Sequence, residues 1–400
     1  MNNKRNLTIL FITLVIMMMG FGIIIPILPD LVVKFGGTGV EMGGLMAIFS
    51  AMQFLFSPMW GSLSDRFGRK PILMLGVFGN AISMLALGLS TDLWMLFVAR
   101  GLAGVLSSAT LPTAMAYISD STDDKSRGGG MGVIGAAMGL GMILGPGAGG
   151  MLSAISLQAP FYFAAILSLL AVAAIWLFLP ESLGVEQRET STRLQGPQLK
   201  TMWESLLGPL AFLFVAAFMI SFAMTNFEGI YAYYAKDRYG YGPETIGVIL
   251  TAIGVVSVIA QGALTGIATR RFGEVNVIKA SLIASVAGFL VMLLATNLVT
   301  VVLTSSFFVL ANAMLRPAVS SLISQRTTKG QGIAMGLNNA FMSLGRVVGP
   351  LWAGIVIDVN LSFPFITGAI IMLVGFIASL IFLRTEVPTS KTKPVVGISD

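Results

Sequence analysis

The 400 residues contain neither histidine nor cysteine. Their absence excludes a histidine proton relay, zinc or haem ligation by His or Cys, a disulfide, and a thiol nucleophile. Charge is scarce as well. Asp, Glu, Lys and Arg together make up 10% of the chain, where soluble domains carry about 25%, and no water-facing surface can be built from so few. The sequence also lacks G-x-x-x-x-G-K-[ST], which excludes the phosphate cradle of a built-in ATPase. The nearest glycine cluster, Gly139 to Gly150, lies in an apolar run without the strand–turn–helix setting of a dinucleotide site. What is abundant is apolar: 56% hydrophobic residues and a mean hydropathy of +0.88. The chain reads as an all-α membrane protein that needs no cofactor or metal and offers nothing to nucleic acid.

Apolar runs of roughly 20 residues, the length that crosses a bilayer, fall at about 7–29, 42–61, 71–90, 92–118, 129–152, 160–180, 209–234, 245–268, 276–296, 298–323, 331–357 and 361–383. That predicts twelve transmembrane helices. The first run follows Lys4 and Arg5 but is too long for a signal peptide and lacks a small-x-small cleavage pattern, so it is expected to be a retained helix. With the N-terminus inside, 18 loop Lys and Arg fall on the cytoplasmic side and three, Lys34, Lys236 and Arg238, outside. This bias predicts both termini in the cytoplasm. Residues 181–208 are polar, with Gly196 and Pro197, and read as a cytoplasmic linker between a six-helix bundle at 1–180 and another at 209–385, with a tail at 386–400. The halves look like repeats. GSLSDRFGRK from Gly61 is echoed by GIATRRFGEV from Gly266, and Gly132, Gly141, Gly145 and Pro146 by Gly336, Gly345, Gly349 and Pro350. The two offsets are 205 and 204 residues.

The loop GSLSDRFGRKP, Gly61 to Pro71, resembles the signature loop of the major facilitator superfamily. A plain positive-inside loop explains Arg66, Arg69 and Lys70, but not Gly61, Asp65 and Gly68 at these spacings. The resemblance implies two six-helix bundles that alternate around a midplane site. It also implies that Asp65 fastens the halves together on the cytoplasmic side when the transporter opens outward. The second copy has Arg270 where Asp65 stands and Glu274 where Arg69 stands, so the latch is expected to be asymmetric. In the fifth run Gly141, Gly145, Pro146, Gly149 and Gly150 fit the antiporter motif of exporters in this superfamily. Glycine-mediated helix packing is the plainer reading and holds in either case. Arg100 and Gly104 in FVARGLAG, and LPES at Leu179 to Ser182, are similar to further motifs of the twelve-span drug:H+ antiporters. The resemblance covers nearly all of 1–385. It implies proton-coupled export of small amphipathic compounds from a bacterial cytoplasmic membrane, by a monomer. Export or flipping of a lipid-like or anionic metabolite is the alternative. A membrane enzyme would need a nucleophile and base that are not visible, and a channel a filter motif.

Four charges fall well inside the runs: Arg100, Glu228, Arg316 and Arg346. Each costs about 3 kcal/mol to insert, which marks it as a candidate for function. Glu228 is the lone acid among them, and a carboxyl that is charged facing water and neutral when occluded can couple a proton to movement. A structural ion pair with Arg316 or Arg346 is the competing reading. Arg100 takes a part in proton transfer by resemblance, or else bonds backbone carbonyls. Arg316, before Pro317, is expected to cap carbonyls freed by the proline, and Arg346 to face the cavity. Asn226, Tyr231, Arg346 and Asn338 are the substrate-cavity candidates. Asp30, after the PILP turn, is either a proton site at the rim or an exposed helix end. Three arginines against one acid leave an anionic or zwitterionic substrate open.

Overall fold

The computed structural model describes residues 3–122, 127–184, 186, 188, 196, 199–327 and 330–383. The proposed tail at 386–400 and residues 185, 187, 189–195, 197 and 198 of the 181–208 stretch lie outside them. Among the described residues there are no strands, and twelve helices are long and apolar enough to cross a membrane. They are α1 Lys4–Lys34, α2 Gly39–Phe67, α3 Arg69–Gly88, α4 Leu93–Ser121, α5 Gly128–Ser153 and α6 Ala159–Phe178. After a short helix at Leu199–Ser205 come α7 Ala211–Tyr239, α8 Pro243–Phe272, α9 Glu274–Met292, α10 Leu298–Arg326, α11 Gln331–Ile357 and α12 Phe363–Phe382. With an even number of crossings, Lys4 and Phe382 share one face, called here the terminal face. The opposite one is the far face.

Several helices outrun the apolar stretches because polar residues at their ends satisfy the free backbone groups. Thr38 closes a capping box with Glu41 at the start of α2, and Asn297 one with Thr300 at the start of α10. Gly240 ends α7 in a left-handed conformation that a side chain would disfavour. The expected PILP turn is absent. Pro26 and Pro29 lie inside α1, which continues through Asp30 to Lys34. The membrane tolerates such prolines where neighbouring helices, hydroxyl side chains or local backbone adjustments re-satisfy the freed carbonyls.

The glycine motif explains the packing. Gly141, Gly145 and Gly149 line one face of α5 against α1, where an added Cβ would strike the backbone of Val15, Met19, Gly22 or Ile23. The other face turns to α8: a Cβ on Gly247 would strike the carbonyl of Pro146 and the Cα of Gly150. The second half repeats this. Gly345 and Gly349 press on Phe218, Phe222 and Asn226 of α7, and a Cβ on Gly43 of α2 would strike the carbonyl of Pro350 and the Cα of Gly354. Each motif helix thus joins its own half through one face and reaches across to the other half through the next. Without side chains in the seam, backbones approach closely and dispersion does the holding.

Candidate functional site

Among the described residues, the hydrogen bonds between the two sets of six helices lie from mid-membrane to the far face. Lys236 donates to Asp30 at 2.7 Å, α7 to α1. The Asp358 carboxylate, just past α11, accepts from the Gly39 and Val40 N–H groups at 2.8 and 3.0 Å and from the Thr38 hydroxyl at 2.7 Å. It therefore caps the N-terminus of α2 across the seam, where the helix dipole favours an anion. Thr251 donates to the Ile143 carbonyl at 3.2 Å, α8 to α5. Toward the terminal face the same helices part. Gly132 and Gly135 of α5, Gly332 and Gly336 of α11, and Gly61 of α2 face open space. The halves are thus joined at the far face and part toward the terminal face, which leaves the space between them open on that side.

Glu228 stands mid-way along α7 and is partly exposed. Among the described residues it forms no ion pair within 4.0 Å and no hydrogen bond; Arg316 and Arg346 are the charges that act on it. Arg346 is partly exposed and donates to Ser343 Oγ one turn earlier, at 2.7 Å. Arg316 does not cap the carbonyls near Pro317. Its side chain is exposed and, among the described residues, without a hydrogen bond, beside Ala217, Ile220, Val319, Asn338 and Met342. The helix continues through Pro317, and no described hydrogen bond runs from Arg316 to the Ala313 carbonyl that the proline leaves without its helical donor.

Arg100 is different. It is 1% exposed, and its Nε donates to the Leu45 carbonyl at 3.1 Å. The guanidinium lies over Phe49, 4.6 Å from the ring centre, with Phe21 at 5.9 Å. No described carboxylate pairs with it. Two cavity candidates also need correcting. Asn226, 1% exposed, donates to the Pro364 carbonyl of α12 at 2.8 Å, and Tyr231, 2% exposed, accepts from Ser305 of α10 at 3.1 Å. Both turn away from the cavity because polar groups in a membrane helix also serve to join helices. Asn338 is buried in the wall, donating to Ser320 at 3.1 Å. Asp30 is no exposed helix end; it is half-buried and paired with Lys236.

At the terminal face Asp65 pairs with Arg69 at 2.6 Å, and Arg69 with Asp120 at 2.9 Å. Arg69 also donates to Ser64 at 2.6 Å. Glu181, from LPES, accepts the Arg69 and Lys70 N–H groups at 2.9 and 3.2 Å and so caps α3. Gly68 turns the chain at φ +102°, open to glycine alone at no cost. Arg66 lies over the Phe67 ring. All of this stays within the first half, as it must while the terminal face is open. Sequence reading missed Asp120 and Asp358, and singled out Glu181 within LPES without its capping role, because each works through chain-distant partners. A further hollow, lined by Thr201, Glu204, Phe214, Arg326 and Leu337 among others, sits at the terminal-face edge, away from Glu228.

Two bundles of six helices, closed at one face around a charged midplane cavity, define an alternating-access carrier. The model of the Major Facilitator Superfamily matches residues 10–270 and 213–397, and the chain belongs to that family. It is 31% identical over 377 residues to multidrug resistance protein 2 of Bacillus subtilis, covering 94% of each chain. Against multidrug resistance protein 1 of that organism it is 32% identical, covering 93% of this chain and 95% of the relative. The quinolone resistance protein NorA of Staphylococcus aureus is 28% identical over 382 residues, 94% of this chain and 96% of NorA. Among solved structures, the human organic anion transporter MFSD10 aligns with a TM-score of 0.67 at 25% identity, covering 95% of this chain and all of that one. The nucleoside transporter NupG aligns at 0.79 with 14% identity, covering 94% and 100%, which speaks to the fold alone.

Proposed function

We propose that this protein is a proton-coupled exporter of small amphipathic compounds, a carrier and not an enzyme, in which residues 1–180 rock against 209–385. The reading places it as a monomer in a bacterial cytoplasmic membrane, with the terminal face in the cytoplasm, as the 18-to-3 distribution of Lys and Arg favours. One observation carries the proton coupling: Glu228 is an unpaired carboxyl at mid-membrane, between halves that part toward the terminal face and are joined at the other. A carboxyl so placed gives up its proton to the cytoplasm and is then free to take a cationic group; opening outward exchanges that cargo for a proton. The multidrug relatives, matched along nearly their whole length, support the choice of cargo. Asp30 and Arg100 are secondary in this reading, the first a gate pair and the second a support for α2.

Proteoliposomes test it. Molecules whose terminal face is on the outside of the vesicle take up a lipophilic cationic dye when the lumen is acidic, and a protonophore abolishes the uptake. Dye movement indifferent to the gradient makes the protein a facilitator. The similarity to an organic anion transporter favours the alternative of an anionic cargo, and anionic dyes in the same assay decide between them.

A further inference from the structure

The charges that face the cavity do not balance. Glu228 on α7 stands against Arg316 on α10 and Arg346 on α11, and the charge of the first half that falls well inside its spans, Arg100, is positive too. The described acids of α1 to α6 lie near the membrane faces: Asp30 with Lys236, Glu41 at a helix cap, Asp92 before α4, and Asp65 and Asp120 with Arg69. None can reach the midplane. Even if Glu228 neutralised one arginine, a guanidinium would remain without a counter-ion, and a guanidinium in a narrow membrane cavity is a strong, directional receptor for a carboxylate.

A purely anionic cargo fails on sign. Protonating Glu228 would make the cavity more positive and bind an anion more tightly, so proton and cargo would travel together. Exchange requires that they compete, which a cationic group on Glu228 achieves. The spacing supports a cargo bearing both charges. Glu228 and the two arginines are electrostatic neighbours, yet no carboxylate–guanidinium pair among them closes to 4.0 Å. That leaves a gap which a ligand carrying its own positive and negative groups can bridge, forming two ion pairs where the protein forms none. Ala217, Ile220, Val319 and Met342 supply an apolar wall beside Arg316.

Resting on the exporter reading above, we propose that the cavity is a two-point site for zwitterionic amphiphiles, with Glu228 taking the ammonium group and Arg346, assisted by Arg316, taking the carboxylate. Binding to the purified full-length protein, read by calorimetry, tests this apart from transport. The probes are biphenylalanine (a zwitterion), its methyl ester (a cation) and its N-acetyl derivative (an anion). The zwitterion should bind at least about tenfold more tightly than either analogue. Arg346→Gln should abolish the zwitterion's advantage over the ester, and Arg346→Lys should restore part of it. Arg316→Gln, with a smaller loss in the same direction, provides a second reading if Arg346→Gln does not fold. Equal affinity for zwitterion and ester, or a preference that survives both glutamine variants, overturns the two-point site. Failure of gradient-driven uptake with the preference intact would overturn the exporter reading and leave the site standing.

Discussion

Each half of this protein buries arginine in the membrane, and the two halves treat it in opposite ways. In the first half Arg100 is sealed beneath Phe49 and tied to the Leu45 carbonyl, out of reach of water and of any described acid. In the second half Arg316 and Arg346 are open to the cavity, with Glu228 beside them and no ion pair formed. The insertion cost is about 3 kcal/mol per charge in either setting. A carbonyl and an aromatic face offset it in the first half, which makes the arginine a fixed part of the wall. In the second the side chains keep exposure to solvent, which in the exporter reading leaves them free to meet a ligand or a proton. Similar backbones thus carry a structural charge on one side and responsive charges on the other.

The largest expected effect breaks that comparison at its responsive side. Glu228→Gln should fold normally, since no ion pair is lost, and should reduce gradient-driven transport by about 100-fold, equivalent to about 2.7 kcal/mol. A large fall in melting temperature, cured by adding Arg346→Gln, would instead make Glu228 a structural partner. Next comes the sealed side. Arg100→Lys keeps the charge but loses the flat guanidinium over Phe49, and should lower stability by about 1–2 kcal/mol. The pH midpoint of transport should stay where it is. A moved midpoint would return Arg100 to proton transfer and abolish the contrast between the halves.

The two faces of the molecule extend the contrast. On the far face Asp358 caps α2, but its counterpart 204 residues earlier is Ala154, and α8 opens on Pro243, which has no N–H to cap. Asp358→Asn weakens charge-assisted hydrogen bonds and should shift the population toward the outward-open form by about tenfold. Cysteines placed at Ile143 and Thr251 report this directly as lost cross-linking, in a chain with no native cysteine to interfere. Unchanged cross-linking would assign the closure to the glycine seams alone. The smallest effect is expected at the terminal face. Asp65→Asn should keep ligand binding and slow turnover by about threefold to tenfold, while Arg270→Gln stays within about twofold. Arg270 is exposed and, among the described residues, bonds the Gly266 carbonyl of its own helix. Equal losses at both would remove the asymmetry of the latch.

The twelve crossings and the repeat were legible in the sequence because each rests on a local property. About 20 apolar residues must span lipid as a helix, since no other backbone hydrogen-bonds itself there. Glycines recurring at one helical spacing in both halves predict close seams wherever the partner lies. The four embedded charges were legible for the same reason: composition alone makes them costly. Which way each one faced was not. Arg100 and Arg346 have equal standing as sequence, and only packing put Phe49 over one and open space before the other. Asn226 and Tyr231 suited a cavity by type, yet a carbonyl on α12 and a hydroxyl on α10 claimed them. The gate pairs, Asp30 with Lys236 and Asp358 with the start of α2, join residues 206 and about 319 positions apart. Periodicity places a residue on a helix; rotation of that helix and the neighbour it meets are long-range outcomes, and those decided which charges became wall and which became site.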